Sequence, residues 1–310
     1  MKVLTSPSSF GNDGSKPFDI LRENKFEIIN NPFGRKLTET EVIQLAIDCV
    51  GIVAGIEALN ESVMKSLPNL KCISRVGVGM DNVDLEYAKK AGISVLNTPD
   101  GPTRAVAELT IALTLSLLRK IPQADANMKQ KVWRKETGNL LFQKKIGIIG
   151  LGRIGKMVAE MFKSLGNPVC GFDTFPDKAW AAEKKVELMT LDSLLGGSDI
   201  ITLHIPGQKD KTPVIKSREI DLMQEGAFLI NIARGGVVDE NALYTALKSK
   251  KLKGAAIDVF SDEPYKGPLC ELDNVILTPH LGSYATESKL QMEIDAVNNL
   301  VQTIKRKNEI

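Results

Sequence analysis

The sequence predicts an α/β protein built from two parallel-sheet domains. Three observations carry this. Short apolar runs alternate with amphipathic stretches through most of the chain, the rhythm of strand–helix–strand units. Lys145–Asp173, KIGIIGLGRIGKMVAEMFKSLGNPVCGFD, is one such unit with three glycines at its first turn. Asn97-Thr98-Pro99-Asp100-Gly101-Pro102 then breaks the rhythm with a Pro/Gly-rich stretch that reads as a hinge. A length of 310 residues suits two domains.

In the first half, Lys2–Leu4 reads as a strand and Pro17–Glu23 as a helix with Pro at its start. Phe26–Ile29 is a strand. Thr38–Ala46 is a helix in which Thr38 as N-cap and Glu41 three residues on form a capping box. Strands follow at Val50–Ala54, Cys72–Val76 and Ser94–Leu96, with helices at Glu61–Leu67 and Leu85–Ala91 between them. Past the hinge, one long helix is expected over about Val106–Met128. Its apolar face (Ala107, Ile111, Leu113, Leu115, Leu117, Leu118) is wide. That suits a central core helix or one packed across a subunit interface. The second is preferred, so a homodimer is expected.

Strands are then expected at Ile146–Ile149, Pro168–Phe172, Ile200–His204, Ala227–Ile232, Gly254–Ile257 and Val275–Thr278. Helices fall after the glycines, with Met157, Val158, Met161 and Phe162 on one face, and at Leu191–Leu195, Ser217–Leu222 and Glu240–Ser249. From Thr286 a helix runs to the end. The division that follows is a dinucleotide-binding domain over 98–286, inserted into a second domain of 1–97 plus 287–310. The active site is expected in the cleft between them.

Composition narrows the function. A net charge of +2 gives no reason to expect nucleic acid or an anionic membrane as partner. Cys49, Cys72, Cys170 and Cys270 are far apart and form no CxxC, so neither a metal site nor a disulfide framework is read. Buried thiols suit a reducing cytoplasm. The opening MKVLTSPSSFG has too short an apolar run for a signal peptide. The most apolar segment, Ala105–Leu118, carries Glu108 and falls short of a membrane span.

The glycines have separable roles. Gly150 allows the tight turn, Gly152 lets backbone approach a pyrophosphate, and Gly155 lets the helix pack close on the strand. The helix start then presents free N–H groups to phosphate. Asp173, 18 residues past Gly155, stands where an acid would accept the ribose 2′-hydroxyl and repel a 2′-phosphate, so NAD is expected rather than NADP. Four polar residues end apolar strands further on: His204, Arg234, Asp258 and His280. In an open parallel sheet those ends share one edge, the edge that holds the cofactor. An arginine, an acid and a histidine beside a nicotinamide suggest hydride transfer coupled to proton transfer.

Several segments carry a resemblance: NIARGGVVDE (Asn231–Glu240), AAIDVFSDEP (Ala255–Pro264), LTPHLGS (Leu277–Ser283), RVGVGMDNVDL (Arg75–Leu85) and NTP (Asn97–Pro99). With GLGRIG upstream, the chain resembles the D-2-hydroxyacid dehydrogenases from about residue 50 onward, and among them the 3-phosphoglycerate dehydrogenases. The resemblance implies NAD-dependent oxidation of a small D-2-hydroxy acid, or reduction of the 2-oxo acid. 3-Phosphoglycerate, on the route to serine, is the preferred substrate, with glyoxylate, hydroxypyruvate or another 2-oxo acid as the alternative. A reading of another class is an NAD(H)-sensing corepressor-like binding protein.

The resemblance also implies roles. Arg234 would clamp the substrate carboxylate, His280 would be the acid/base, and Glu263 would hold its other imidazole nitrogen. Asp258 would meet the nicotinamide carboxamide. Arg153, Ile154, His204, Pro206, Ala233 and Gly282 would line the cofactor beside the glycines. Gly77, Val78 and Gly79 would offer backbone N–H groups to the substrate carboxylate, with Arg75, Asn97 and Arg134 nearby. The chain departs from the family at Gly55-Ile56-Glu57, where an arginine is common. It departs again at Lys211, where a threonine is usual and Thr212 follows one position late, and at Tyr284, where smaller residues are common. No segment follows the terminal helix, so a serine-responsive regulatory domain is not expected.

Overall fold

The computed structural model describes residues 1–208, 210 and 212–308. Lys211 and the last two residues of the expected terminal helix, Glu309 and Ile310, lie outside the described residues. The chain forms two compact units, Met1–Pro102 with Ser283–Ile310, and Thr103–Gly282.

The first unit is built on a five-stranded parallel sheet: β1 (Lys2–Thr5), β2 (Glu27–Asn30), β3 (Cys49–Ala54), β4 (Cys72–Arg75) and β5 (Ser94–Leu96). Their order, β2-β1-β3-β4-β5, is the flavodoxin-like one. Neighbouring residues of a strand face opposite sides, so Ile52 packs into one core cluster and Val53 into the other. Helix Thr286–Asn308 closes the second cluster with Val297, Leu300 and Ile304, and it lies so near β3 that a Cβ on Gly51 would stand 2.9 Å from Leu300. Helix Glu39–Ala46 begins as its sequence expects. Thr38 accepts the Glu41 N–H, and the Glu41 carboxylate accepts the Thr38 N–H at 2.8 Å.

The second unit carries β6 (Ile146–Ile149), β7 (Val169–Phe172), β8 (Glu187–Leu188), β9 (Ile200–Leu203), β10 (Ala227–Asn231), β11 (Leu252–Ile257) and β12 (Val275–Leu277). They form one parallel sheet in the order β12-β11-β10-β9-β6-β7-β8. The winding direction reverses between β6 and β9, the switch point where such sheets bind ligands. Ile148 packs on one face and Ile149 on the other.

The expected long helix is two helices, Thr103–Arg119 and Ile121–Lys129. Lys120 between them adopts a left-handed conformation (φ 54°), and Pro122 in the first turn of the second helix begins it afresh. Ala107, Leu113, Leu117 and Leu118 are buried in the core of their own unit, against Ile146 and Phe162. This part is therefore a central core helix, and Leu115, 40% exposed, is the larger exception. Helix Lys178–Glu183 and the two-residue β8 were not anticipated, being too short to register a period.

Candidate active site

Because every strand of the larger sheet is parallel, the loops after the strands share one edge. Taken across the sheet they carry His280 after β12, Asp258 after β11, Arg234 after β10, His204 after β9, the glycine turn after β6 and Asp173 after β7.

At the turn, Gly150 has φ 95°, and an added Cβ there would lie 2.4 Å from the His204 carbonyl. A Cβ on Gly155 would stand 1.9 Å from the Gly150 carbonyl, so the helix crosses the turn with no room for a side chain. Gly152 is different: nothing lies within 4 Å of where its Cβ would be, and it is the N-cap of helix Arg153–Ser164. Two glycines thus shape the turn, and the third leaves the helix start open to a phosphate. Arg153 and Ile154 open that helix, the first exposed and the second half-buried. Asp173 is held to the turn through Oδ2, which accepts the Leu151 N–H at 2.7 Å, and through Oδ1, which accepts that of Phe175 at 2.8 Å. This arrangement fits a dinucleotide: pyrophosphate at Gly152 and ribose at Asp173.

His204 is part-exposed as a residue, yet its ring is sealed at Nδ1, which has no hydrogen-bond partner among the described residues. Nε2 shares a hydrogen bond with the Thr202 hydroxyl at 3.0 Å. Burial pushes the imidazole down to about 3, so the ring is neutral and unsuited to cycling a proton near neutral pH. Pro206 follows on an exposed stretch.

Arg234 reaches back to the Ala233 carbonyl at 2.8 Å. Its loop is braced by Asn231, whose side chain accepts the Ala233 N–H and donates to the Arg234 carbonyl. A Cβ on Gly235 would lie 1.8 Å from the Phe260 carbonyl, so the loops after β10 and β11 are pressed together. In the second loop, Glu263 Oε1 accepts the Phe260 N–H at 3.1 Å, and both carboxylate oxygens stand 3.0–3.1 Å from His280 Nδ1. His280 adopts φ 55° and is half-exposed at its side chain. Nδ1 is engaged by Glu263, while Nε2 has no protein partner among the described residues, which leaves it for a reacting group.

Asp258 is fully buried. Its Oδ1 accepts the Thr278 hydroxyl at 2.5 Å and the Leu281 N–H at 2.7 Å, and Oδ2 accepts the Gly282 N–H at 2.9 Å. The Asp258 carbonyl accepts the His280 N–H as well. Burial raises its carboxyl above the ordinary range, with the hydrogen bonds opposing. Asp258 therefore anchors the turn that carries His280, a role sequence reading missed; Thr278, two residues before His280, was the available signal.

In the smaller unit, Arg75, Gly77, Val78, Gly79 and Asn97 stand at the ends of β4 and β5. The expected trio of N–H donors needs correcting at Gly77. Its N–H donates to the Thr98 hydroxyl at 2.8 Å, and its carbonyl accepts the Thr98 N–H at 3.0 Å. Val78 and Gly79 retain N–H groups with no partner among the described residues. Asn97 donates to the Val78 carbonyl at 2.8 Å, which fixes that loop. The Arg75 side chain folds onto the Val76 carbonyl. Arg134, in the other unit, is exposed and pairs with Glu136 at 3.6 Å. Glu57, in the departure noted above, is buried and accepts hydrogen bonds from Ser6 and Gly55. Among the described residues no cluster could hold a metal ion, and no helix is long and apolar enough to cross a membrane.

Known proteins resemble this chain over most of its length. Residues 111–282 match the model of the D-isomer specific 2-hydroxyacid dehydrogenase, NAD binding domain. The chain is 38% identical to a D-3-phosphoglycerate dehydrogenase of Archaeoglobus fulgidus over 98% of its own length and 58% of the relative's. It is 42% identical to that of Methanocaldococcus jannaschii over 87% of its length and 53% of the relative's. The chain thus spans little more than half the length of these curated relatives. Among solved structures, the TT0316 protein of Thermus thermophilus superposes with a TM-score of 0.90 at 32% identity, covering 98% of this chain and 97% of that one. A D-lactate dehydrogenase of Aquifex aeolicus complexed with NAD and lactic acid gives 0.84 at 30% identity, covering 100% and 97%.

Proposed function

This chain belongs to the D-isomer specific 2-hydroxyacid dehydrogenases and carries their NAD-binding domain, and from that premise we propose that it interconverts a small D-2-hydroxy acid and its 2-oxo acid. NAD supplies the hydride acceptor, or NADH the donor. The protein's own residues do the rest. Gly152 and the helix start meet the pyrophosphate, and Asp173 accepts the ribose hydroxyl. Arg234 grips the substrate carboxylate with its planar fork. Val78 and Gly79, in the smaller unit, carry N–H groups suited to an anion. Nε2 of His280 takes the hydroxyl proton as the alcohol is oxidised and returns it in the reverse direction. Glu263 holds Nδ1, which fixes the tautomer and steadies the imidazolium once the proton arrives.

The observation that carries this reading is the Glu263–His280 contact on the sheet edge that also bears the glycine turn. The names of the relatives favour 3-phosphoglycerate as substrate, and other 2-oxo acids follow as the second choice. The absence of an arginine at Gly55-Ile56-Glu57 favours including them. The test is NADH consumption with 3-phosphohydroxypyruvate, hydroxypyruvate, glyoxylate and pyruvate. Turnover of any of them excludes a pure NAD(H)-sensing role; turnover of none defeats the proposal.

We also read a homodimer working in a reducing compartment such as the cytoplasm. Ile121, Met128, Trp133, Leu140 and Phe142 are large apolar residues left exposed along one stretch, Trp133 by 79%, more than a lone subunit is expected to leave in water. All four cysteines are free thiols. A monomeric mass at micromolar concentration would contradict the dimer.

A further inference from the structure

Two loops of the larger unit meet at Gly235 and Phe260. The loop after β10 runs from Arg234 through Gly235, Gly236, Val237 and Val238 to Asp239, which caps helix Glu240–Lys248 by accepting the Asn241 and Ala242 N–H groups at 3.0 Å. Glu240, the first residue of that helix, projects its carboxylate to the loop after β11 and accepts the Ser261 N–H at 2.7 Å. The preceding amide, Phe260 N–H, donates to Glu263. Two successive amides of one loop are therefore held by two different carboxylates. One belongs to the His280 partner and the other to the end of the Arg234 loop.

A peptide plane has only its flanking dihedrals to turn about. Fixing the Ser261 N–H limits the rotation of the Phe260–Ser261 plane, and through it the place from which Phe260 meets Glu263. The same loop is clamped at Phe260 by the missing Cβ of Gly235 and by the Tyr265 ring, stacked on Phe260 at 4.3 Å. Ser261, Asp262 and Glu263 themselves are exposed, so no burial holds them. Besides the contact of Glu263 with His280, the hydrogen bond from Ser261 to Glu240 ties them to another element. Its acceptor is charged, which makes it one of the stronger kinds.

We propose that Glu240 is a positioning residue for the acid–base pair: by holding Ser261 it keeps Glu263 against His280 and ties that pair to the Arg234 loop. This rests on the reading of His280 and Glu263 given above. Glu240 touches neither substrate nor cofactor in this scheme.

The test is a double-mutant cycle in steady-state reduction of a 2-oxo acid by NADH, with Glu240→Ala, Glu263→Gln and the pair. Glu240→Ala should lower kcat about tenfold with the Kd for NADH and the Tm little changed. In a Glu263→Gln background it should add less than about twofold, because its effect passes through Glu263. Glu240→Gln, which keeps an acceptor oxygen, should restore most of the rate. An unchanged kcat in Glu240→Ala, or a loss that multiplies in full on top of Glu263→Gln, would overturn the proposal. Should Glu240→Ala fail to fold, Glu240→Thr makes the same comparison, being too short to reach Ser261. If the wild-type protein reduces no 2-oxo acid, the functional reading fails instead, and amide exchange at Ser261 in Glu240→Ala still reports whether the contact holds the loop.

Discussion

At the strand ends of the Thr103–Gly282 unit, the candidate site residues are side chains already paired: His280 with Glu263, Asp258 with Thr278 and two backbone amides, Asp173 with two more. At the strand ends of the other unit, the same parallel architecture presents mainly backbone, with Gly77 and Thr98 satisfying each other and Asn97 tying down Val78. A preorganised set of hydrogen-bonded side chains can direct a proton and a hydride, since little must rearrange during reaction. A loop of amides can grip an anion without taking part in bond changes. The difference teaches which unit should govern kcat and which should govern KM.

The strongest way to break this division is at His280. His280→Ala should lower kcat by roughly 10²–10⁴, the range for a lost acid–base group, with NAD binding near wild type by titration. A variant of undiminished turnover would move the chemistry elsewhere.

Next come the glycines, which separate shape from binding inside one turn. Gly155→Ala places a methyl 1.9 Å from the Gly150 carbonyl, so the helix must shift. Overpacking of this kind costs about 1–3 kcal/mol, and both Tm and NAD affinity should fall. Gly152→Ala meets nothing within 4 Å, so its Tm should hold while NAD affinity drops. Equal losses of Tm in the two would refute the separation.

Asp173→Ala should weaken NAD binding about tenfold or more, in keeping with ~1.5–3 kcal/mol for a hydrogen bond to a charged group, and should narrow the preference for NAD over NADP. Parallel titration of both cofactors measures it.

The smallest effect belongs to the other unit. Thr98→Val removes the acceptor of the Gly77 N–H, at a cost of about 1 kcal/mol in stability. The KM for the acid should shift while kcat changes by less than twofold. A fall in kcat like that of His280→Ala would erase the contrast between the units.

His204 adds a pH effect of fixed sign. Its folded value, about 3, lies below the ordinary 6.5. Between the two the unfolded chain binds the extra proton, so stability is complete above the ordinary value and declines as pH falls toward 3. Chemical denaturation at pH 7 and pH 4.5 should show His204→Gln losing less than wild type across that interval.

What could be read from the sequence follows the same division. The glycine turn, Asp173 and the strand-end residues depend on local spacing, and spacing is visible along a chain. The Glu41 capping box was legible for the same reason. The break at Lys120 left a sign in Pro122, but the apolar run through Leu118 masked it, since a hydrophobic pattern does not reveal a single left-handed residue. The partner of the Gly77 N–H lies 21 residues onward, in the loop after the next strand, and no local rule pairs them. Glu240 gains its role only where loops meet, so no local rule says what it holds, whereas sequence order placed Asp258 on the edge and left Thr278, just before His280, as the sign of what it holds.

The central claim is that the Glu263–His280 pair moves the proton that accompanies hydride transfer. The direct measurement is the rate against pH in both directions, 2-oxo acid with NADH and D-2-hydroxy acid with NAD, in wild type and in Glu263→Gln. Reduction needs the protonated ring and oxidation the neutral one. Reduction should therefore fall as pH rises while oxidation grows, and Glu263→Gln should lower both rates. Two rates that respond to pH in the same direction, or rates that Glu263→Gln leaves undiminished, would contradict the account.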